Sequence, residues 1–180
     1  MDSFIRAKRI WRRGCNFFGQ SYGIYERSNF NTNIMDREQL LKELMLDEGV
    51  IHEIYRDHLG YPTFGVGHLI TEKDKEWGLK MGTPISEERV RECLEQDVDI
   101  VCSELDKNMK WWRDLSDARQ RVMANMCFNL GYPRLSKFKN YLAAVQEEDW
   151  EKAADEMMDS KWARQVGDRA VRLQTMMLNG

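Results

Sequence analysis

The sequence contains no long hydrophobic run, and this absence excludes two classes of protein. No apolar stretch approaches the length of about eighteen residues that a transmembrane helix requires, so no transmembrane segment is predicted. The opening stretch, MDSFIRAKR, never builds the apolar core of about seven residues that a secretory signal contains. We therefore expect a globular protein that something other than the secretion machinery delivers to any target beyond the cytoplasm.

Cysteine and histidine are scarce, and their spacing argues against a metal site or a disulfide framework. The four cysteines form no CxxC pair, and the three histidines show no metal-ligand spacing. Cys93 and Cys102 lie in one helical stretch, too far apart along a helix to bridge each other. We predict buried or incidental thiols in a reducing compartment, and neither a metal nor a cofactor. The cysteines are Cys15, Cys93, Cys102 and Cys127.

Charge is plentiful but unevenly distributed, and it divides the chain into two parts. The formal net charge is −3, yet residues 1–34 carry six basic and two acidic groups, a net charge of +4, which leaves −7 for the remainder. These first 34 residues are also rich in aromatic side chains, with a short apolar stripe opposite lysines and arginines. We predict two segments, a basic aromatic N-terminal arm at 1–34 and a main domain at 35–180.

The composition of the arm leaves its role open. An arm that docks onto a partner protein, an anionic membrane surface or nucleic acid competes with a flexible extension or a misplaced start codon. Seven aromatic residues in this segment are many for a purely disordered tail, which favours docking slightly.

The remainder predicts an α+β protein. With 42% hydrophobic residues, the 180-residue chain can bury one substantial core or two small lobes that share a helix. Apolar residues at helical spacing precede Glu48, with Asp36 as the predicted N-cap and Gly49 at the helix end. Residues 51–70 predict a small antiparallel sheet. Ser86 caps a long helix suited to bridging two lobes, and a bundle follows, with helices at 117–129, 142–145, 150–158 and 169–177.

The residues around the predicted sheet carry the chemistry. Glu48 ends a helix, Asp57 follows nine residues later in a polar turn, and Thr63 follows six residues after that. A carboxyl group at a helix end, a second one on a neighbouring turn and a hydroxyl on a strand can converge on one cleft. That combination suits glycoside hydrolysis, in which one carboxylic acid protonates the leaving oxygen and the other group directs water.

In this order and register, the segment from Asp47-Glu48-Gly49 through Asp57 and Thr63 to Gly65-Val66-Gly67-His68 resembles the active-site block of the phage-type lysozymes. The likeness continues through the helical half and covers about residues 38–180. It implies a two-lobed lysozyme fold, with a small sheet lobe joined by a long helix to a larger helical lobe. It also implies an endo-N-acetylmuramidase that hydrolyses the β-1,4 bond between N-acetylmuramic acid and N-acetylglucosamine in bacterial peptidoglycan.

Roles for three residues follow from the resemblance. Glu48 is the expected general acid, because apolar neighbours would disfavour its charged form and raise its pKa toward the working pH. Asp57 would stay ionised and stabilise positive charge on the sugar or steer water, while Thr63 would hold that water. The resemblance implies an inverting displacement by water; without Thr63, Asp57 as a nucleophile would be a serious rival.

Further residues are expected to support this centre. The resemblance implies a structural pair between His68 and Asp97, which would raise the pKa of the histidine and lower that of the aspartate. It also brings Arg169 near Asp47 or Glu48, where the guanidinium would order the acid. Leu69, Phe128 and Asn129 match substrate-binding positions of the family cleft. Tyr141 and Glu156 replace small polar groups there, and Trp162 is expected to face the bundle interior.

Two modes of delivery and two other functions remain open at this stage. A soluble endolysin would wait in the host cytoplasm until lysis, whereas a virion-associated lysozyme would travel in the particle; both act on the bacterial cell wall. The basic arm and the acidic body favour the second, with phage particle proteins as partners of the arm and no nucleic acid expected. The alternatives are a structural particle protein with a lysozyme fold and little activity, and a lytic transglycosylase, which needs only the acid.

Overall fold

The structure, a computed structural model, describes residues 34–180, so the predicted arm at 1–34, apart from Ile34, lies outside the described residues. Helix α1 (Arg37–Glu48) begins at Asp36, whose side chain accepts a hydrogen bond from the backbone N–H of Gln39 at 2.9 Å. It ends at Gly49, whose φ of 72° suits a residue without a Cβ. Both predicted helix ends are confirmed, and Glu48 is the last residue of the helix.

A three-stranded antiparallel sheet follows in the order β1-β2-β3, with β1 at Ile51–Arg56, β2 at Pro62–Gly65 and β3 at His68–Leu69. Thr63 on β2 pairs with Tyr55 on one side and Leu69 on the other. At the end of β2, a Cβ on Gly65 would lie 3.1 Å from Cγ1 of Val90 on the next helix. The glycine therefore lets the sheet approach that helix closely.

The long helix predicted after Ser86 is confirmed as α2 (Glu87–Asn108). The Ser86 side chain caps its first turn by accepting a hydrogen bond from the N–H of Arg89. Its buried face holds the apolar residues of the predicted period together with one charged residue, Asp97. Because α2 packs on β2 and β3 near its start and on later helices, it joins the sheet lobe to the helical lobe.

The helical lobe surrounds α3 (Asp117–Leu130), which is buried at every residue from 122 to 130 and packs against α1, α2 and α8. The four helices predicted in this lobe are confirmed. Three short elements of four to six residues were not predicted, because they are too short to show a helical period. The elements around α3 are a 3-10 helix (Lys110–Asp114), α4 (Tyr132–Leu135), α5 (Lys139–Gln146), α6 (Trp150–Met158), α7 (Lys161–Val166) and α8 (Asp168–Asn179).

The predicted α+β class is confirmed, with a small sheet lobe and a predominantly helical remainder. Three of the four cysteines, Cys93, Cys102 and Cys127, are buried free thiols, while Cys15 lies outside the described residues. Between residues 34 and 180, no helix is both long and apolar enough to span a bilayer.

Candidate active site

Glu48 lies where α1 ends against the helical lobe, and its side chain is 19% exposed. Its Oε1 accepts a hydrogen bond from Nη1 of Arg169 at 2.9 Å and another from Nδ2 of Asn129 at 3.2 Å. Arg169 thus lies where it was predicted, and Asn129 adds a polar contact beyond the apolar neighbours expected from the sequence. Both contacts are tertiary, since α3 and α8 bring polar groups from 81 and 121 residues away along the chain.

Asp57 follows β1 and organises the turn into β2. Its Oδ1 accepts hydrogen bonds from the backbone N–H groups of Leu59 at 2.9 Å and Tyr61 at 2.8 Å. The residue is only 6% exposed, and its Oδ2 is buried with no hydrogen-bond partner among the described residues. Buried carboxylate oxygens are normally paired, so this oxygen keeps unused capacity to accept a hydrogen bond.

Thr63 is almost fully buried in β2, and the donor capacity of its hydroxyl is already used. Oγ1 donates to the carbonyl oxygen of Tyr61 at 3.1 Å. Because a hydroxyl has one proton and two lone pairs, Oγ1 is left to act as an acceptor toward any further group. It can therefore orient a water molecule by accepting one of its protons.

Tyr55 connects the two halves of the site and was not predicted from the sequence. It pairs across the sheet with Thr63 and stands two residues before Asp57. Burial, and then the negative charges of Asp57 and Glu48, raise the pKa of its phenol. The charges of Glu48 and Asp57 thus both act on the phenol of Tyr55, and Thr63 is the cross-strand partner of that residue. A signal was present in the sequence, since Tyr55 lies only two residues before Asp57, at the end of the predicted strand.

Asp47, next to Glu48, belongs to a second buried ion pair. Its Oδ2 lies 3.4 Å from Nε of Arg169 and accepts a hydrogen bond from Nδ2 of Asn125 at 2.8 Å. Arg172 contacts its other oxygen. Arg169 therefore touches both acids at the end of α1, which is the contact expected of it, although its effect on activity stays a prediction.

A separate charged cluster joins the sheet lobe to α2. His68 lies 3.2 Å from Oδ2 of Asp97 through Nδ1 and 3.1 Å from Oδ1 of Asp74 through Nε2. Burial alone would lower the pKa of His68, but the hydrogen bonds with Asp74 and Asp97 outweigh burial and raise it to about 10. The imidazole is therefore a cation held between two carboxylates. The contact with Asp97 is the predicted one; Asp74 was missed because it lies in an irregular loop.

The three predicted substrate-binding residues have different surroundings. Leu69 on β3 is partly exposed opposite Thr63, whereas Phe128 and Asn129 on α3 are both 4% exposed. Their binding roles stay predictions. An open cavity of about 340 Å³ on the helical lobe is lined by Phe138, Tyr141 and Glu156, among others.

Comparison with known proteins gives one family and several relatives. The model of the phage lysozyme family matches residues 46–176. A protein described as "Probable T4-type lysozyme 1" of Dictyostelium discoideum is 30% identical and aligns over 76% of this chain and 92% of its own length. A second, "Probable T4-type lysozyme 2", is 29% identical over 78% of this chain and 94% of its own.

A longer relative is the pre-baseplate central spike protein Gp5 of Enterobacteria phage T4. It is 29% identical over 91% of this chain, which spans only 34% of the length of that protein. Residues 34–180 make up less than 91% of the chain, so this alignment extends into the first 33 residues.

Proposed function

The chain belongs to the phage lysozyme family, which makes it a glycoside hydrolase that degrades peptidoglycan, and we propose how its residues carry out the reaction. The enzyme is an endo-N-acetylmuramidase that hydrolyses the β-1,4 bond between N-acetylmuramic acid and N-acetylglucosamine. Glu48 acts as the general acid, and Asp57 and Thr63 direct the attacking water.

The observation that carries this proposal is the state of the Asp57 carboxylate. Two backbone N–H groups fix Oδ1, while Oδ2 is buried without a partner in the part of the chain that the structure describes. An ionised oxygen in this position is costly to the fold unless a donor or a positive charge meets it during the reaction. A water molecule, or the oxocarbenium-like sugar of the transition state, supplies that partner.

Thr63 supports displacement by water over a covalent intermediate. Because its hydroxyl proton is used on the carbonyl oxygen of Tyr61, Oγ1 accepts one hydrogen bond from the water and Asp57 accepts the other. As Glu48 donates its proton to the glycosidic oxygen, the bond to the leaving sugar breaks. The water oxygen then bonds to the anomeric carbon and its proton passes to Asp57, which inverts the configuration.

The sugar strand is proposed to run from the sheet lobe across the end of α1 to the helical lobe. Leu69 and Phe128 would contact apolar faces of the sugars. Asn129 would contact the strand next to the glycosidic bond, because it lies beside Glu48. The open cavity near Tyr141 and Glu156 continues the same path, because Phe138 in its wall packs edge-on against Trp162, which contacts Asn129.

The direct test follows the loss of turbidity of purified sacculi with the native chain and with Glu48→Gln. We expect clearing by the native chain alone, with reducing-end muropeptides by mass spectrometry and the α-anomer formed first by proton NMR. The substitution should lower the rate by about 10²–10⁴-fold. A β-anomer would assign Asp57 as a nucleophile, and anhydro ends would indicate a transglycosylase.

For delivery, the virion-associated role is favoured over the endolysin. A relative whose name describes a baseplate spike aligns into the first 33 residues, whereas the alignments of the two T4-type lysozymes cover 76–78% of this chain. The excess of basic residues before residue 35 fits docking onto a particle protein.

Mass spectrometry of purified particles from the source phage tests this role. Stoichiometric recovery of the chain is expected, and its presence only in lysates would favour the endolysin. Recovery in particles together with no clearing of sacculi would favour the alternative, a structural particle protein with little activity.

A further inference from the structure

Two asparagines on one face of α3 each donate a hydrogen bond to one of the two acidic residues that end α1. Asn125 and Asn129 are one helical turn apart, and both are buried. The NH₂ group of Asn125 donates to Asp47, and that of Asn129 donates to Glu48. Each amide oxygen accepts from a group on the C-terminal helices: Arg169 for Asn125 and Trp162 for Asn129.

The partners of the two amide oxygens fix the orientation of the amides. An indole N–H and a guanidinium can only donate, so each must face an oxygen and never the NH₂ of an amide. Nε1 of Trp162 lies 2.9 Å from Oδ1 of Asn129. The amide must therefore turn its NH₂ toward Glu48, where Nδ2 lies 3.2 Å from Oε1.

From this geometry we propose that Trp162 is a positioning residue for the general acid and acts through Asn129. The inference rests on the proposed role of Glu48. With Asn129 and Arg169 both donating to Oε1, the two acceptor positions of that oxygen are filled. The indole thus keeps the amide of Asn129 as a donor to Oε1 of Glu48, and this hydrogen bond orients the acid toward the glycosidic bond.

Packing alone does not account for a tryptophan at this position. Trp162 is 3% exposed and makes an edge contact with Phe138, which another aromatic ring would also make. Only the indole N–H fixes the amide. Trp162→Phe keeps an apolar ring and frees Asn129 to rotate, so that its oxygen can face Glu48 instead.

The test compares the pH profile of kcat/KM for the native chain, Trp162→Phe and Asn129→Leu. Donation to a carboxylate favours its charged form, so losing it should move the alkaline limb to higher pH. For Trp162→Phe we also expect kcat to fall about three- to tenfold while KM stays within about twofold, because the acid loses a hydrogen bond that orients it.

Trp112→Phe is the matched control, because the Trp112 indole also donates to a side chain, Asp106 at 2.7 Å, in a different hydrogen-bond network. Its alkaline limb should match that of the native chain. The proposal is overturned if Trp162→Phe and Asn129→Leu leave the limb in place, or if Trp112→Phe moves it as far. Thermal unfolding of each variant shows whether the fold is retained.

A second measurement separates this inference from the proposed function. In protein labelled with ¹³C at the glutamate carboxyl groups, the Glu48 resonance should titrate at higher pH in Trp162→Phe than in the native chain. Activity retained by Glu48→Gln would contradict the acid role, yet the titration would still test the hydrogen-bond chain. Identical titration of Glu48 in both proteins would overturn the inference even if Glu48 is the acid.

Discussion

The two carboxylates of the site are held in opposite ways. Glu48 accepts hydrogen bonds from Arg169 and Asn129, contributed by two helices of the large lobe. Asp57 is held only by the backbone of its own turn, and one of its oxygens is buried without a partner among residues 34–180. We therefore expect that removing a partner of Glu48 destabilises the fold, whereas the unpartnered oxygen of Asp57 costs stability. Strain of this kind is expected where an oxygen is kept for a substrate or a water molecule.

Asp57→Asn should have the largest effect, because it is expected to lower activity while raising stability. The amide cannot accept the proton of water as a carboxylate does, so kcat should fall by about 10³-fold. A neutral amide is cheaper to bury without a partner than an ionised oxygen, so the free energy of unfolding should rise by about 1 kcal/mol. Muropeptide release and urea unfolding measure the two effects. Lower stability would show that Oδ2 is paired in the folded protein.

Arg169→Met should lower the free energy of unfolding, whereas Asp57→Asn is expected to raise it. The guanidinium is buried and touches both Asp47 and Glu48, so its loss removes a cation from both carboxylates and leaves Asp47 with Arg172 alone of its two arginines. Breaking a buried pair in this way should lower the free energy of unfolding by about 3 kcal/mol. Arg164→Met, at an exposed position on α7, is the control and should change stability by less than about 0.5 kcal/mol. Equal effects of the two substitutions would contradict a special role for the pair.

The same contrast separates what the sequence predicted from what it did not. Glu48, Asp57 and Thr63 could be predicted as candidates because they lie within one short segment whose helix end and turn are local features. Asn125 and Trp162 as partners of the site were not found, because these contacts join residues many positions apart and an asparagine in a buried helix has no distinctive pattern. Asp74, whose carboxylate forms a hydrogen bond with His68, was missed for a related reason: its loop has no periodicity.

The His68 cluster should make stability depend on pH. The folded pKa of about 10 exceeds the ordinary value of 6.5, so its contribution is complete below about pH 6.5 and is lost as the pH rises toward 10. Burial would raise the pKa of Asp74, but hydrogen bonds from His68 and Thr71 lower it, so its contribution is lost as the pH falls below about 4.

Unfolding free energies measured from pH 3 to 10 should therefore be highest between about pH 4 and 6.5. The decline toward pH 10 should be on the order of 2 kcal/mol. His68→Gln removes the titrating group, and its stability should be lower and flatter over the alkaline range. An equally steep alkaline decline in His68→Gln would assign the effect to another group.

Tyr55→Phe should have the smallest effect and tests whether the two carboxylates act on one reaction centre. Burial and the negative charges of Asp57 and Glu48 raise the pKa of the Tyr55 phenol. The hydroxyl therefore stays protonated, and able to donate a hydrogen bond, at neutral pH. Removing one hydrogen bond to the substrate or its transition state should lower kcat/KM by about tenfold with little change in stability. Tyr132→Phe on α4 is the control and should retain full activity. If the two variants are equally active, the Tyr55 hydroxyl makes no contact during the reaction, and its relation to the two carboxylates is only electrostatic.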